Sequence, residues 1–520
     1  MSDVEKYGEP APALAQGGND VPELREPSMS MSSDDDAVLA KLGYRSEFIR
    51  EFGNLETFSF AMRMTASIAT TFTTPLSLGG VASVVPVNIS LGASIAEIVS
   101  AYPTAGGLYT FPSELCSIGW ITGYLNILGQ VAGVASTEWG LSGMILAAVV
   151  TCRDDYVIEN WHQFLLFTAL LIIHGLLNSL PTAGLARLTR GFVFINIGSA
   201  VIIIITLLAT TPRAEMHPGS YIFTEVVNNT GWPSNGLAVA LGLLSVQWTM
   251  TDYDAAAHIS EEVHRAAIAA PVAIFVAVLN TGAIGWILNI VLCVCAGDVT
   301  ELPGPSGNAF LGIMYLRMGK AGSMVLWAFV WCVLVAAFTV QTALQANSRT
   351  VFAFSRDGAF PDRGVLGRMN KTTKTPIIAV WFVVALSIIM GVLSFASLTA
   401  VNAIFSMCAV ALDLSYVIPV VCRRVFANHH EVNFTPGPFY MRGWGVYVNG
   451  VMLLWTLFEV TILCFPETYP LTWDTFNYAA PITLAVMALS FVWYALAGRR
   501  YYTGPRSNLP EEDRREVKAN

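Results

Sequence analysis

The chain has 520 residues, 54% of them hydrophobic and only 12% charged, with a mean hydropathy of +0.56. A soluble domain carries nearer ~25% charge, so the composition excludes a soluble globular fold and describes a protein that crosses a bilayer many times. The formal charge of −9 lies largely in the first residues and the loops rather than on one face, and gives no argument for nucleic acid as a partner.

Residues 1–55 stand apart. Pro, Ser, Glu, Asp and Gly dominate them, Ser32-Ser33-Asp34-Asp35-Asp36 is an acidic run, and no apolar stretch resembles a cleaved signal. They are expected to form a disordered cytoplasmic tail. From Thr57 onward, apolar segments recur at about the ~20 residues that a bilayer helix requires. They lie near 57–78, 81–101, 118–150, 161–180, 190–211, 236–258, 268–296, 321–348, 376–395, 398–421, 445–465 and 479–497. Twelve spans put both termini on one side. Lys and Arg crowd the loops of that side, among them Arg187, Arg190, Arg265, Arg356, Arg363, Lys371 and Arg423, whereas the opposite loops hold Arg153, Arg213, Arg317 and Lys320. The positive-inside rule then sets both termini in the cytosol. Residues 56–498 form one transmembrane domain, and 499–520 a cytoplasmic C-terminal tail. Asn228 heads a glycosylation acceptor that faces outside; Asn370 and Asn433 head acceptors that face inside and stay unmodified. The eight cysteines show no CxxC or Cys/His cluster, so neither a disulfide framework nor a zinc site is indicated.

One stretch is out of place. The apolar run Leu237–Trp248 leads without a loop into Thr249, Thr251, Asp252 and Asp254. Polar side chains at membrane depth cost about 2.5 to 3.5 kcal/mol each and persist mainly where they line a cavity, a relay or a binding site. The competing reading makes Tyr253-Asp254 the headgroup end of a helix, but Ala255–Ile259 resumes an apolar turn before Glu261-Glu262. The first span shares the oddity in Ser67-Ile68-Ala69-Thr70-Thr71-Phe72-Thr73-Thr74. Ser and Thr also sit in intact membrane helices, bonded to the carbonyl one turn back. The pairing of two irregular segments five helices apart favours interruption, expected within 66–73 and 249–255, because broken helices offer N–H groups to an anion and carbonyls to a cation.

Further tracts carry a resemblance. Gly92-Ala93-Ser94-Ile95-Ala96-Glu97 through Tyr102-Pro103-Thr104-Ala105-Gly106-Gly107-Leu108-Tyr109 is similar to the helix 2 to helix 3 signature of the amino acid, polyamine and organocation (APC) transporter superfamily. Asp254-Ala255 through Glu261-Glu262 resembles its helix 6 signature. Ser348-Arg349, Arg356-Asp357-Gly358-Ala359-Phe360-Pro361 and Thr375-Pro376 resemble its loop between helices 8 and 9. Fungal permeases for γ-aminobutyrate (GABA) and related amino acids are the most similar members, with choline permeases as near relatives. The resemblance implies an all-α integral membrane fold of two inverted five-helix repeats, helices 1–5 and 6–10, plus two C-terminal helices. It implies that backbone N–H groups around Ser67, Ile68, Ala69 and Thr70 hold the substrate carboxylate, and that Thr249, Thr251, Asp252, Tyr253 and Asp254 face its amine, which is the half-helix dipole arrangement. Asp252 stands where many members have Gly and adds a full negative charge beside the amine.

Other polar residues have two readings each. Asn126, Gln130, Gln341, Gln345 and Asn347 either line the cavity or make interhelical hydrogen bonds worth ~0.6 kcal/mol on average. Asp413, in an apolar helix with no basic neighbour in sequence, is a candidate proton carrier. Glu97 and Arg349 are candidates for cytoplasmic-gate ion pairs, and Gly129 with Gly133 for helix packing. His258, Glu261, Glu262 and His264 lack zinc-site spacing, so no metal and no cofactor is expected. The chain departs from the family pattern in a short second helix with Pro86 and Asn88, an abbreviated link from Phe111 to Trp120, and Arg63 in the first helix. The resulting expectation is a secondary active transporter and not an enzyme. It takes up amino acids or related amines by alternating access in the plasma membrane or the vacuolar membrane, with the proton as coupling ion by the fungal resemblance. The alternatives are a choline or polyamine permease of the same fold, and a non-transporting nutrient sensor, which the short second helix and Arg63 favour.

Overall fold

Without water at membrane depth every backbone polar group must be satisfied within the protein, and for these spans the α-helix does it. The computed structural model describes residues 34–510 apart from 63, 85–88, 112–116, 154, 305, 330–331, 397, 428–433, 474 and 505. Among the described residues the sole strand-like pairing is the bridge between Phe52 and Val263. Arg63, Pro86, Asn88 and Asn433 lie outside them.

In chain order, α1 (Asp34–Lys41) precedes a first span made of α2 (Asn54–Ala61), α3 (Met64–Thr71) and α4 (Thr73–Gly79). The second span is α5 (Ser90–Ala101), the third α6 (Ser117–Cys152) and the fourth α7 (Asn160–Asn178). The fifth joins α8 (Thr182–Arg190) to α9 (Phe192–Thr210), and α10 (Gly219–Thr224) lies in the loop beyond. The sixth consists of α11 (Asn235–Leu241), α12 (Leu243–Thr249) and α13 (Ala255–His258). Then come α14 (Ala266–Cys295), α15 (Ala309–Met324) leading through a π-helical turn toward α16 (Cys332–Arg356), α17 (Ile377–Gly391), α18 (Leu398–Val425), α19 (Trp444–Leu463) and α20 (Ala479–Leu496).

Eight of these helical stretches are long and apolar enough to cross a bilayer unbroken. The other four expected spans are those of α2–α4, α5, α11–α13 and α15–α16; the first and sixth are divided among shorter helices, and α5 has 12 residues. The chain is an all-helical integral membrane protein. Its inner elements are α6, α16 and α18, with α18 lying along one side of α6 and α16 along another, while α14 packs on α2 and α5. Gly129 lets α18 approach α6 closely, because a Cβ there would meet the Leu412 side chain at 2.7 Å. The outward faces of α7, α19 and α20 leave Leu176, Leu454, Leu457, Leu484 and Leu489 exposed, an apolar surface of the kind that meets lipid.

Two expectations need correction. The first 55 residues are not all without structure. Asp34–Lys41 is helical, and Tyr44, Phe48 and Phe52 are buried. The amides of Glu51 and Phe52 donate to the Glu262 carbonyl, and the His264 amide donates to that of Phe52, so aromatic anchors and backbone pairing overcome a polar composition. The second correction concerns the first span. Ser67–Thr71 is helical rather than unwound, because its hydroxyls bond backward, as when Thr71 Oγ1 donates to the Ser67 carbonyl at 2.9 Å. The chain leaves the helix earlier, at Met62 (φ −99°, ψ 117°).

Candidate functional site

The two interrupted spans meet, since α3 packs directly on α12. At the first interruption the freed carbonyl of Met62 accepts from Asn196 Nδ2 of α9 at 3.1 Å. At the second, α12 stops at Thr249, Thr251 and Asp252 are unwound, and α13 begins at Ala255. Asp252 sits at φ 65°, a left-handed conformation that Asp tolerates better than most residues.

A small cavity opens beside this junction. Ser67 of α3, Gly133 and Thr137 of α6, Trp248, Thr249, Thr251 and Asp252 of the sixth span, Thr339 of α16 and Cys408 of α18 line it. Five segments that are distant in sequence therefore converge on a wall of hydroxyls, one carboxylate and one indole. The Trp248 indole is held by Ser136 Oγ at 3.1 Å.

The expected site residues divide between this cavity and its supports. Ser67, Thr249, Thr251 and Asp252 reach it. Ile68, Ala69 and Thr70 lie inside α3, where helix geometry engages their N–H groups; the N–H groups left open in α3 are those of its first turn, Met64 to Ser67. Ala69 instead offers its carbonyl to Asn308 Nδ2 at 2.8 Å, and Thr70 Oγ1 lies against Met144 Sδ. Tyr253 is buried in the main apolar core. Asp254 is a hub: Tyr416 Oη donates to it at 2.6 Å and Asn126 Nδ2 at 2.9 Å, and His258 Nε2 lies at 3.0 Å. Gln130 joins this network rather than the cavity, donating to Asn126 Oδ1 and accepting from Thr350 Oγ1, both at 3.1 Å. Asp413 Oδ2 accepts from Gln247 Nε2 at 2.8 Å.

Ion pairs gather on the face where residues 44–52 and 501–509 pack. Glu97 and Arg349 are each paired, but not with each other. Glu97 takes Arg423 at 2.5 Å, and Arg349 Nε donates to Glu262 Oε1 at 2.6 Å with both side chains fully buried. Glu261 takes both terminal nitrogens of Arg356, at 3.0 and 3.1 Å, and the amide of Ala105 at 3.0 Å. Burial pushes the Glu262 carboxyl above the ordinary range in spite of Arg349. Burial likewise pushes Asp357 up to about 6, against the opposing pull of Arg356 and of hydrogen bonds from Tyr44 and Tyr109.

Several members of this site carry weak sequence signals or none. Gly133, Thr137, Thr339 and Cys408 are small residues of the kind any membrane helix uses in packing. Asn196 and Tyr416 are single polar side chains of a kind that apolar helices commonly carry. Glu459, a carboxylate within the apolar α19 and almost wholly buried, was open to the argument that singled out Asp252 and Asp254.

Comparison with known proteins supplies the family. Residues 51–488 match the family model described as amino acid permease. The chain is 40% identical over 507 residues to an uncharacterized amino-acid permease of Schizosaccharomyces pombe, covering 94% of this chain and 92% of that one. It is 38% identical over 506 residues to amino-acid permease 2 of Neurospora crassa, with 93% and 91% covered. To amino-acid permease BAT1 of Arabidopsis thaliana it is 31% identical over 508 residues, with 91% and 96% covered. The chain belongs to the amino acid permease family.

Proposed function

We propose that the protein is a secondary active transporter that takes up amino acids or related amines, γ-aminobutyrate among them, by alternating access with the proton as coupling ion. One observation carries the reading: the cavity at the joined interruptions has a buried carboxylate, Asp252, on its wall. The first turn of α3 presents N–H groups that suit a substrate carboxylate, and the last turn of α12 presents carbonyls that suit an ammonium. Asp252 adds a charge whose attraction for an ammonium, in a dielectric below that of water, exceeds ~1 kcal/mol. The three ion pairs on the terminal face form the closed gate of one access state. We place that face, with the N-terminal tail and the loop after α16, in the cytosol, from the Lys/Arg bias. The names of the Neurospora and Arabidopsis relatives support amino acids over choline as cargo.

The test is uptake by transport-deficient yeast expressing the chain. A radiolabelled panel of γ-aminobutyrate, neutral and basic amino acids, choline and a polyamine is measured with and without an inward proton gradient. Gradient-stimulated uptake of an amino acid is expected. Uptake of choline or polyamine alone moves the substrate class, and no uptake above the empty vector at confirmed surface expression overturns transport in favour of a sensor.

A further inference from the structure

Two short segments, one near each end of the chain, are seated on the same part of the protein. Residues 44–52 cross the ion pairs. The Arg356 guanidinium lies 4.5 Å from the centre of the Tyr44 ring, and Phe48 meets the Phe352 ring edge-on at 5.2 Å with the Arg349 guanidinium 5.8 Å from its own centre. The amides of Glu51 and Phe52 donate to the Glu262 carbonyl, both at 3.0 Å. One stretch of chain therefore covers the Arg349–Glu262 and Arg356–Glu261 pairs. Residues 501–509 fasten that stretch. Tyr502 is buried against Trp120 at the start of α6, with ring centres 5.1 Å apart, and the Arg506 amide donates to Asp357 Oδ1, which also accepts from Tyr44 Oη. Asn508 bonds to the Arg45 backbone in both directions: its Oδ1 accepts from the amide at 2.5 Å, and its Nδ2 donates to the carbonyl at 3.2 Å and to Glu47 Oε1 at 2.8 Å. Glu47 in turn stands 4.0 Å from Arg356.

A connection made this way limits how the face can open. The stretch is held at one end to the end of α16, through Phe352 and Asp357, and at the other to the turn between the sixth and seventh spans, through Glu262, Val263 and His264. Alternating access separates Arg349 of α16 from Glu262 of that turn, and the stretch cannot stay seated on both as they part. The three bonds of Asn508 add to what has to be undone. We propose that residues 501–509 act as a brake on the opening of this face, clasping residues 44–52 over the ion pairs with a hold that parts each time the face opens. This rests on the transporter reading above, and no covalent bond is made or broken.

Two arms test the brake on the purified full-length chain, one of them without substrate. Asn508→Ala removes the three bonds. Hydrogen exchange of the backbone amides in 44–52, followed by mass spectrometry, is expected to run about 2- to 10-fold faster than in the wild type, the factor by which one net hydrogen bond shifts an equilibrium. Equal exchange in variant and wild type overturns the clasp, whether or not any amino acid is transported. The second arm locks it. A Cβ on Gly43 would stand 3.5 Å from Ser507 Cβ, within the ~3.5–4.5 Å that a disulfide spans, so Gly43→Cys/Ser507→Cys is oxidised to tie the segments together. In proteoliposomes the oxidised pair is expected to lose exchange of labelled for unlabelled amino acid, and dithiothreitol to restore it. Each single variant, treated alike, controls for the φ of 89° at Gly43 and for the native thiols. Exchange by the oxidised pair at the rate of its reduced form overturns the brake and leaves amino acid transport standing. No exchange by the wild type overturns the transporter reading instead, and the amide rates then decide the clasp alone. Where the cysteine pair does not fold, Asn508→Ala serves the second arm as well, with faster exchange of substrate expected and an unchanged rate overturning the brake.

Discussion

Removing Arg349 tests how the terminal-face gate is held. Its Nε is 2.6 Å from Glu262 Oε1, with neither side chain exposed; its Nη1 also donates to Ser348 Oγ at 3.1 Å, and its guanidinium lies 5.8 Å from the centre of the Phe48 ring. Arg349→Met keeps most of the stem packing and leaves Glu262 as a buried charge without its counterion, which costs about 3–5 kcal/mol. The Arg349→Met/Glu262→Gln double variant removes both charges. Burial raises the Glu262 carboxyl even with the guanidinium in contact, and the Glu261 charge adds to the rise. The double variant is therefore expected within about 1 kcal/mol of wild type, for replacing a buried pair is often neutral or stabilising. The assay is unfolding of the purified protein in mixed micelles, titrated with SDS and followed by circular dichroism. Substrate efflux from loaded vesicles runs in parallel, and should be faster in both variants because the gate lacks its clasp. If the double variant is as unstable as the sum of the singles, within the ~0.5 kcal/mol of simple additivity, the expectation for the double variant is wrong.

The remaining expectations concern the cavity, the tails and the topology. Asp252→Asn should raise the apparent KM for substrates with an exposed amine at unchanged surface expression; equal uptake by variant and wild type at subsaturating γ-aminobutyrate shows that Asp252 does not contact the amine. Asp254→Asn turns an NH2 toward the donors Tyr416 and Asn126. The loss of a charge-assisted bond worth about 1.5–3 kcal/mol should cut maximal transport of every substrate roughly tenfold or more, and an unaltered maximum refutes the hub assignment. Asp357 joins the N-terminal Tyr44, the loop residue Tyr109 and the C-terminal Arg506 amide. Its folded pKa of about 6 exceeds the ordinary ~3.9, so between those values the folded state binds more protons and stability falls as pH rises, by up to about 3 kcal/mol. Wild type should lose that much relative to Asp357→Asn between pH ~4 and ~6.5, and parallel pH profiles count against it. A single cysteine placed at Arg363 should resist an impermeant thiol reagent applied outside intact cells; labelling there reverses the orientation.

How far the fold was readable follows from how local each cause is. Bilayer thickness acts on each segment separately, so twelve apolar runs were legible, and the second interruption showed because Asp252 and Asp254 stand in hydrocarbon. The first was placed a turn too late. Hydroxyl groups look like breakers in sequence, yet in Ser67–Thr71 they bond to their own helix, whereas the actual exit at Met62 bears an ordinary apolar side chain. What stabilises that exit is Asn196, 134 residues away. The ion pairs of the proposed gate were legible as charges and not as pairs: Glu97 and Arg423 are 326 residues apart, and nothing local selects Arg423 over Arg349. The ordered stretch from Tyr44 to Phe52 was hidden because its docking surface, around Phe352 and the Glu262 carbonyl, exists only after the helices assemble.

The proposed site draws on a position where chemistry and backbone strain coincide. The resemblance places glycine at the position of Asp252, and the structure supplies the reason, since φ 65° is a conformation that glycine enters without steric cost and other residues at a cost of order 1 kcal/mol or more. A side chain kept at such a point in place of glycine has to return something for the strain. Asp252 is buried on the wall of the cavity where the two half-helices end, and the hydroxyls of Ser67, Thr249 and Thr251 that share this wall carry no charge. Structural support for the break comes from elsewhere: Asp254 gathers Tyr416, Asn126 and His258 from three helices, and Asn196 holds Met62. On the proposed reading, Asp252 puts a negative charge where a cationic substrate would sit, which would distinguish this cavity from one built on glycine.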